Sequence, residues 1–377
     1  MRDVLAERLL AEVMKWTPED VAINRPDLQA LATFKYDEYQ QFSPGIRFVE
    51  SLALWLNQFE TDEERKIAYK FVRSRLVFIS NSEMQHLVTI AFPDFIRPFL
   101  IYQTSKILNM PDRFVAKIAN TNEYRILLRQ SLFLGLSDGA HIDIFRRSNP
   151  EISHEQVWQA YEIPAEKIDS LICELSSELE TLLHRKPIDN EKKFKMIFLL
   201  DDFSGSGISY FRKEINGDNI KYKGKIYKIL SNLNDSQGEL KKLVDLEDLY
   251  FCIVLYVATE KSVSYLKKYI DEWLKENNSP IKFKVFVIQQ IPDLVLLNNH
   301  EDEGFISLLQ KYFDPSIIDK HYSKGRHDEP YMGFDQCALP VVLNHNTPNN
   351  SVPLLWFEDN RKYRGLFPRV SRHRREL

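Results

Sequence analysis

Cysteine is scarce: the 377 residues hold three, Cys173, Cys252 and Cys337, with no CxxC pair and no close histidine partner. That excludes a disulfide framework and a cysteine-based zinc site, and it fits a reducing cytoplasm. No apolar run reaches the roughly 18–20 residues of a membrane-spanning helix, so no membrane association is expected. Near the N-terminus, Arg2, Asp3, Glu7 and Arg8 interrupt apolar residues spaced as in a helix. The stretch lacks the apolar core and small-residue cleavage site of a secretory signal. An excess of one charge is also missing. Lys+Arg total 50 against 54 for Asp+Glu, a net charge of −4, which argues against a dedicated nucleic-acid coat. There is no HExxH spacing among His86, His141, His154 and His184, no GxxxxGK[ST] and no GxSxG. Zincin, Walker-type NTPase and serine-hydrolase chemistries are thereby excluded. What remains is a globular composition, 44 % hydrophobic, 12 % aromatic and 28 % charged, long enough for about two or three domain-sized units.

Up to about residue 130 the apolar spacing is helical. Val4, Leu5, Leu9, Leu10, Val13 and Met14 begin it, and Phe48–Phe59 continues it. Thr61, Asp62 and Glu63 supply capping chemistry before a helix over Ile67–Val77. Another helix opens at Ser82, Pro93 is expected to stop it, and Pro98 to break the chain again. The pattern then changes. Leu132–Leu134, Met196–Leu200, Leu249–Val257, Phe283–Ile288, Leu339–Leu343 and Val352–Trp356 read as strands. Helices near Ala165–His184, Lys261–Lys275 and Glu303–Tyr312 alternate with them. Such alternation implies βα units around a mostly parallel sheet. Asn219–Leu230 reads as a hairpin inserted at the sheet's rim. The expected organisation is a helical or winged-helix-like module over 1–125, an α/β domain over 126–360 carrying that hairpin, and a basic tail over 361–377.

The densest chemistry lies in Met196-Ile-Phe-Leu-Leu-Asp201-Asp202-Phe203-Ser204-Gly205-Ser206-Gly207-Ile208-Ser209. A buried strand delivers two carboxylates to its C-terminal end, where open α/β sheets bind ligands. Gly205 and Gly207 permit positive φ and close backbone approach. Backbone N–H groups and the hydroxyls of Ser204, Ser206 and Ser209 can cup one phosphate. The carboxylates repel that phosphate and suit sugar hydroxyls, or a Mg²⁺ shared with a second phosphate. A phosphorylated sugar satisfies both halves; an acidic turn after a core strand is the alternative.

This run resembles the 5-phosphoribosyl 1-pyrophosphate (PRPP) motif of type I phosphoribosyltransferases: four apolar residues, two acids, three variable residues, then Thr-Gly-x-Thr. The acids fall on Asp201 and Asp202, and the last four positions on Ser206-Gly207-Ile208-Ser209. The resemblance implies a parallel-sheet, Rossmann-like fold, with the acid pair on the ribose hydroxyls or a Mg²⁺ and Ser204–Ser209 on the 5′-phosphate. Purine-type members carry an acid just before the first Thr, where this chain has Gly205. The resemblance also implies a diphosphate loop after an earlier strand. Ser137-Asp138-Gly139 can play that part or form a plain turn. Arg146 and Arg147 follow it, either clamping a diphosphate or lying on a solvated helix face. A late loop flanks the base in the family. Asn344, His345 and Asn346 match it, or else make an Asn-rich turn.

Together these segments resemble the phosphoribosyltransferase-like proteins of bacterial conflict and anti-phage loci, some beside retron reverse transcriptases. That implies an effector binding PRPP or a ribose-5-phosphate-containing nucleotide with Mg²⁺ and acting on a nucleobase or nucleotide. Without an acid at Gly205, proton removal falls to the substrate, to water, to His345 or to Asp138. Two alternatives stand beside it: a non-catalytic sensor of PRPP or nucleotide, and a nucleic-acid-binding adaptor. The tail Arg361–Arg375 holds seven Lys/Arg in fifteen residues, including Arg369, Arg372 and Arg374. It suits RNA, DNA or pyrophosphate, or is a solvated terminus; Phe367 and Pro368 suggest that part of it docks.

Overall fold

The computed structural model describes residues 3–159, 163–217, 219–359 and 361–369. The strands among them are β1 (Val77–Ile79), β2 (Ser131–Gly135), β3 (Val157–Trp158), β4 (Met196–Ser204), β5 (Arg212–Asn216), β6 (Asn219–Lys223), β7 (Tyr250–Thr259), β8 (Lys282–Ile291) and β9 (Val341–Leu343). The chain divides into two compact units: Met84–Ile291, and a discontinuous one of Met1–Glu83 with Pro292–Leu377.

This division differs from the one expected at residues 125 and 126, for a packing reason. The rings of Phe92 and Phe99, far upstream of that boundary, belong to the sheet's own core. Phe99 meets Tyr250 and Phe286 at 5.4 Å, and Phe92 lies 6.3 Å from Phe133. The helices that carry them continue through both prolines. A π-helical stretch, Ala91–Ile96, accommodates Pro93 in its wider turn, and Pro98 sits in the first turn of the helix Arg97–Ile107, where a missing N–H costs nothing.

In the contiguous unit all strand pairings of the five-stranded sheet are parallel, in the order β3-β2-β4-β7-β8. The run Met196–Leu200 is buried throughout, as a central parallel strand covered on both faces requires. On one face Leu132, Leu134, Ile197 and Leu199 pack with Leu175 and Leu179 of the helix Ala165–Leu183, and with Ile226 and Leu230 of the helix Lys225–Asn234. On the other, Phe198 stacks on Phe133 at 5.1 Å, and Phe145 closes on Phe133 at 5.3 Å. The chain leaves β2 toward β3 on one side, then returns past β2 to β4 and moves away toward β7. Strand order therefore reverses between β2 and β4, and the loops after these two strands flank the crevice where such sheets bind ligands.

In the discontinuous unit β1 pairs in parallel with β9, Val77 opposite Val341. β9 was expected in the main sheet, and β1 is a strand within the region read as helical. Pro353–Trp356, expected as a strand, is a helical turn with Pro353 at its start. The hairpin is formed by β5 and β6, spanning 212–223 rather than 219–230, because Ile226, Ile229, Leu230 and Leu233 bury one face of a helix. Phe367 is fully buried, within 5.2–5.7 Å of the rings of Tyr36, Tyr39, Phe42, Phe48 and Phe78. The Tyr39 hydroxyl bonds the carbonyls of Phe367 and Pro368 at 3.0 and 3.1 Å. Among the described residues no helix is long and apolar enough to cross a membrane.

Truncating this aromatic anchor leaves a large void. Phe367→Ala is expected to cost about 3–5 kcal/mol, read from urea unfolding followed by intrinsic fluorescence.

Candidate functional site

Adjacent residues of a strand point to opposite faces, and that rule separates the two acids at the end of β4. Asp201 lies on the face of Ile197 and Leu199 and is 1 % exposed. Its Oδ1 accepts the Ser137 hydroxyl and the Asp202 N–H; its Oδ2 accepts the Tyr210 hydroxyl at 2.8 Å. The Lys225 ammonium stands 3.9 Å from Oδ2. Asp202 lies on the opposite face, half-buried, with Oδ1 accepting the N–H of Phe203 at 2.7 Å.

The loop after β2 reaches both acids. Ser137 donates to Asp201, and Gly139 lies so close to Asp202 that an added methyl group would overlap the carboxylate. Tyr256 of β7 holds the same loop by donating to the Ala140 carbonyl at 2.8 Å. Asp138 sits in the short 3₁₀ turn between them. Ser137, Asp138 and Gly139 therefore sit in a loop that meets the acid pair. Arg147 pairs with Asp143 on its own helix, the solvated-face arrangement; Arg146 lies one residue before it on the same helix, Ile142–Ser148.

The loop after β4 is fixed from below by the start of the helix Glu260–Glu276. Ser204 and Ser262 hydroxyls meet at 2.5 Å, and Thr259 donates to the Gly205 carbonyl at 2.6 Å. Gly207 has φ +78°, and a Cβ there would lie 3.0 Å from the Tyr265 ring and 3.2 Å from the Ser262 carbonyl. Glycine is thus required at this position on two counts. Ser204 and Ser206 are buried, whereas Ser209 is exposed. The backbone N–H groups of Ser206, Gly207 and Ser209 have no acceptor among the described residues, while Ile208 N–H reaches Ser206 Oγ at 3.4 Å. Unclaimed amides in a tight small-residue loop are what an anionic ligand uses.

Two neighbours of the site lay outside the sequence motif. Tyr210, buried, ties Asp201 to the Phe203 carbonyl at 2.9 Å. Lys225 donates to the Leu136 carbonyl at 2.7 Å, just ahead of Ser137. Gly224, with φ +118° and in close approach to the Tyr210 carbonyl, forces the turn that brings Lys225 back to the loop.

Asn344, His345 and Asn346 belong to the discontinuous unit. There Leu343 and Asn346 exchange backbone bonds at 3.1 Å across a tight turn, Asn344 N–H donates to Ile79, and Gln41 donates to the His345 carbonyl. Asn344, His345 and Asn346 thus form a tight turn directly after β9. Arg369 lies over the Trp356 ring at 5.6 Å. Arg372 and Arg374 lie outside the described residues.

Burial, first, and the charge of Asp202, second, raise the Asp201 carboxyl to about 7, against the opposing pull of Lys225, Ser137 and Tyr210. Burial above all also pushes the Tyr210 hydroxyl well above its usual value. With both Asp201 oxygens engaged inside the chain, the pair does not present two open carboxylates to an ion. Among the described residues no group of three or more His, Cys, Asp or Glu side chains is placed to hold a metal. A Mg²⁺ carried by both acids does not fit this donor set.

The model of the PRTase-CE family matches residues 52–369. The chain belongs to the PRTase-CE family. No curated protein and no solved structure matches it. The mixed α/β architecture with its parallel sheet agrees with a phosphoribosyltransferase-like fold.

A carboxyl whose pKa rises from 3.8 unfolded to about 7 folded binds its proton more tightly in the native state. Its contribution therefore falls as pH climbs through that window and is flat above it. The melting temperature of the wild type is expected to drop more between about pH 5 and about pH 8 than that of Asp201→Asn. Equal slopes for the two proteins would contradict this. Gly207→Ala is expected to destabilise by about 1–3 kcal/mol through strain and overlap, measured by chemical denaturation.

Proposed function

We propose that the crevice between β2 and β4 binds PRPP or another nucleotide-like ligand carrying ribose 5-phosphate. The observation that carries this reading is the pairing of two features in one crevice. The Ser204–Ser209 loop offers unclaimed amides suited to a phosphate. One acid of the pair, Asp202, lies beside Gly139 of the neighbouring loop, on the face opposite Asp201. In this reading Asp202 takes the ribose hydroxyls, Gly205, Ser206, Gly207 and Ser209 take the 5′-phosphate, and Ser137–Gly139 face the group on ribose C1. Asp201 acts through Ser137, Tyr210 and Lys225, holding the two loops in register, and is a positioning residue rather than a ligand.

The activity proposed is transfer or cleavage at ribose C1, on a nucleobase or nucleotide, within bacterial anti-phage defence. Its setting beside a retron reverse transcriptase rests on the motif resemblance. If Mg²⁺ accompanies PRPP, the ligand's own phosphates supply most of its oxygens. A non-catalytic sensor uses the same crevice, and Gly205, standing where purine-type enzymes carry an acid, favours that second reading.

Calorimetric titration of the full chain with PRPP, with and without Mg²⁺, tests the proposal. Binding is expected in the micromolar range or tighter, with Asp202→Asn weakening it by roughly 10-fold or more through loss of charge-assisted hydrogen bonds. Absence of binding by PRPP, ribose 5-phosphate and nucleoside monophosphates alike would overturn it. Pyrophosphate release on adding common bases separates enzyme from sensor.

A further inference from the structure

We propose that the free edge of β8 receives an extended segment of a partner protein, one whose side chains alternate between apolar and acidic. The surface lies apart from the crevice, because β7 stands between β8 and β4.

Three observations meet there. First, the sheet is open at β8. Among the described residues this strand pairs with β7 alone. Lys282 N–H donates to the Leu249 carbonyl at 3.0 Å, so the backbone groups of Lys282, Lys284 and Phe286 turn toward β7. Those of Phe283, Val285 and Val287 turn outward, where they have no hydrogen-bond partner among the described residues. Such an edge is a template for one more strand.

Second, a groove of about 570 Å³ lies beside this edge, between β8 and the C-terminal end of the helix Glu260–Glu276. Leu274, Ile281 and Phe283 give it apolar walls, and Lys275, Ser279 and Lys282 are its polar members. The Ser279 hydroxyl oxygen is buried and has no hydrogen-bond partner among the described residues. A strand laid along β8 turns alternate side chains into this groove and the others to the opposite face of the sheet.

Third, the edge carries a surplus of positive charge. Lys275 pairs with Asp271 at 2.6 Å, and Lys282 shares Asp248 with Lys195. Lys267, one helical turn before Asp271, and Lys284 have no carboxylate partner among the described residues. Lys284 is exposed, its ammonium over the rings of Phe99 and Phe286 at 4.7 and 4.8 Å. Glu272 and Glu276 of the same helix are engaged by Lys213 at 3.3 and 3.2 Å.

A second copy of the chain is the competing occupant. It brings the same lysines to the contact, and lysines on an edge strand guard against that pairing. They do not account for an apolar-walled groove beside the strand. An acidic partner meets both features, with carboxylates toward Lys284 and apolar side chains over Phe283 and Leu274.

The test titrates the full chain into a fluorescently labelled short peptide that alternates valine and glutamate, read by anisotropy, with a valine–lysine peptide as control. The wild type is expected to bind the first in the micromolar range and the second at least about 10-fold more weakly. Val285→Pro removes an outward N–H while leaving the ladder to β7 intact, and is expected to cost roughly 10-fold or more. Lys284→Glu is expected to weaken the glutamate peptide by roughly 5-fold or more and to strengthen the lysine peptide, a reversal that loss of structure does not produce. No binding of the glutamate peptide by the wild type, equal binding of the two peptides, or an unchanged preference in Lys284→Glu overturns the proposal. A dimer in sedimentation that Val285→Pro dissolves overturns it too, since a second copy then occupies the edge. Should Val285→Pro fold poorly, Lys284→Glu, altered only at an exposed side chain, carries the test.

Discussion

The carboxylate of Asp201 is the tie on which the crevice depends. Buried at the end of β4, it gathers the Ser137 hydroxyl from the loop after β2 and the Tyr210 hydroxyl from just beyond the small-residue loop, with the Lys225 ammonium nearby. Lys225 joins the same segments a second time, its N–H on the Ser209 carbonyl and its ammonium on the Leu136 carbonyl. A buried acid is costly unless its lone pairs are met, and here they are met by groups that must themselves be held in place. The cost of burying the charge is what fixes the loops.

A division of labour between neighbouring acids follows from strand geometry. Asp201 faces the aliphatic layer with Ile197, Leu199 and Tyr210, while Asp202 faces the side of Gly139. The first ties Ser137 and Tyr210 together, and the second lies against Gly139 of the neighbouring loop. Reversal of strand order between β2 and β4 supplies the gap that both loops line. The phosphoribosyltransferase-like family of the chain and this arrangement agree with each other.

Much of the contiguous unit was legible in the sequence, since the first five residues of β4 and nearly all of β7 are apolar runs of the kind a parallel strand covered on both faces uses. Their loops followed from Ser/Gly content and from the acids. The opposite facing of Asp201 and Asp202 follows from their being consecutive residues of one strand. Lys225 was hidden because Tyr222, Lys223 and Gly224 read as hairpin, and only the buried spacing of Ile226, Ile229, Leu230 and Leu233 reveals the helix it begins. β1 escaped notice because three residues carry no periodicity and their partner, β9, lies near the other end of the chain. Pro93 and Pro98 misled because a π turn and a helix's first turn both tolerate proline.

The aromatic nest around Phe367 has a consequence for biosynthesis. Tyr39 meets the Phe367 carbonyl across 328 residues of chain, whereas Met84–Ile291 is contiguous. As the polypeptide leaves the ribosome, the contiguous unit can acquire its sheet while the upstream helices still lack β9 and Phe367. Those helices stay incomplete, with apolar rings uncovered, until β9 and Phe367 have been made. Premature termination would thus spare the ligand crevice's own strands and strand the flanking helices as a target for chaperones and proteases.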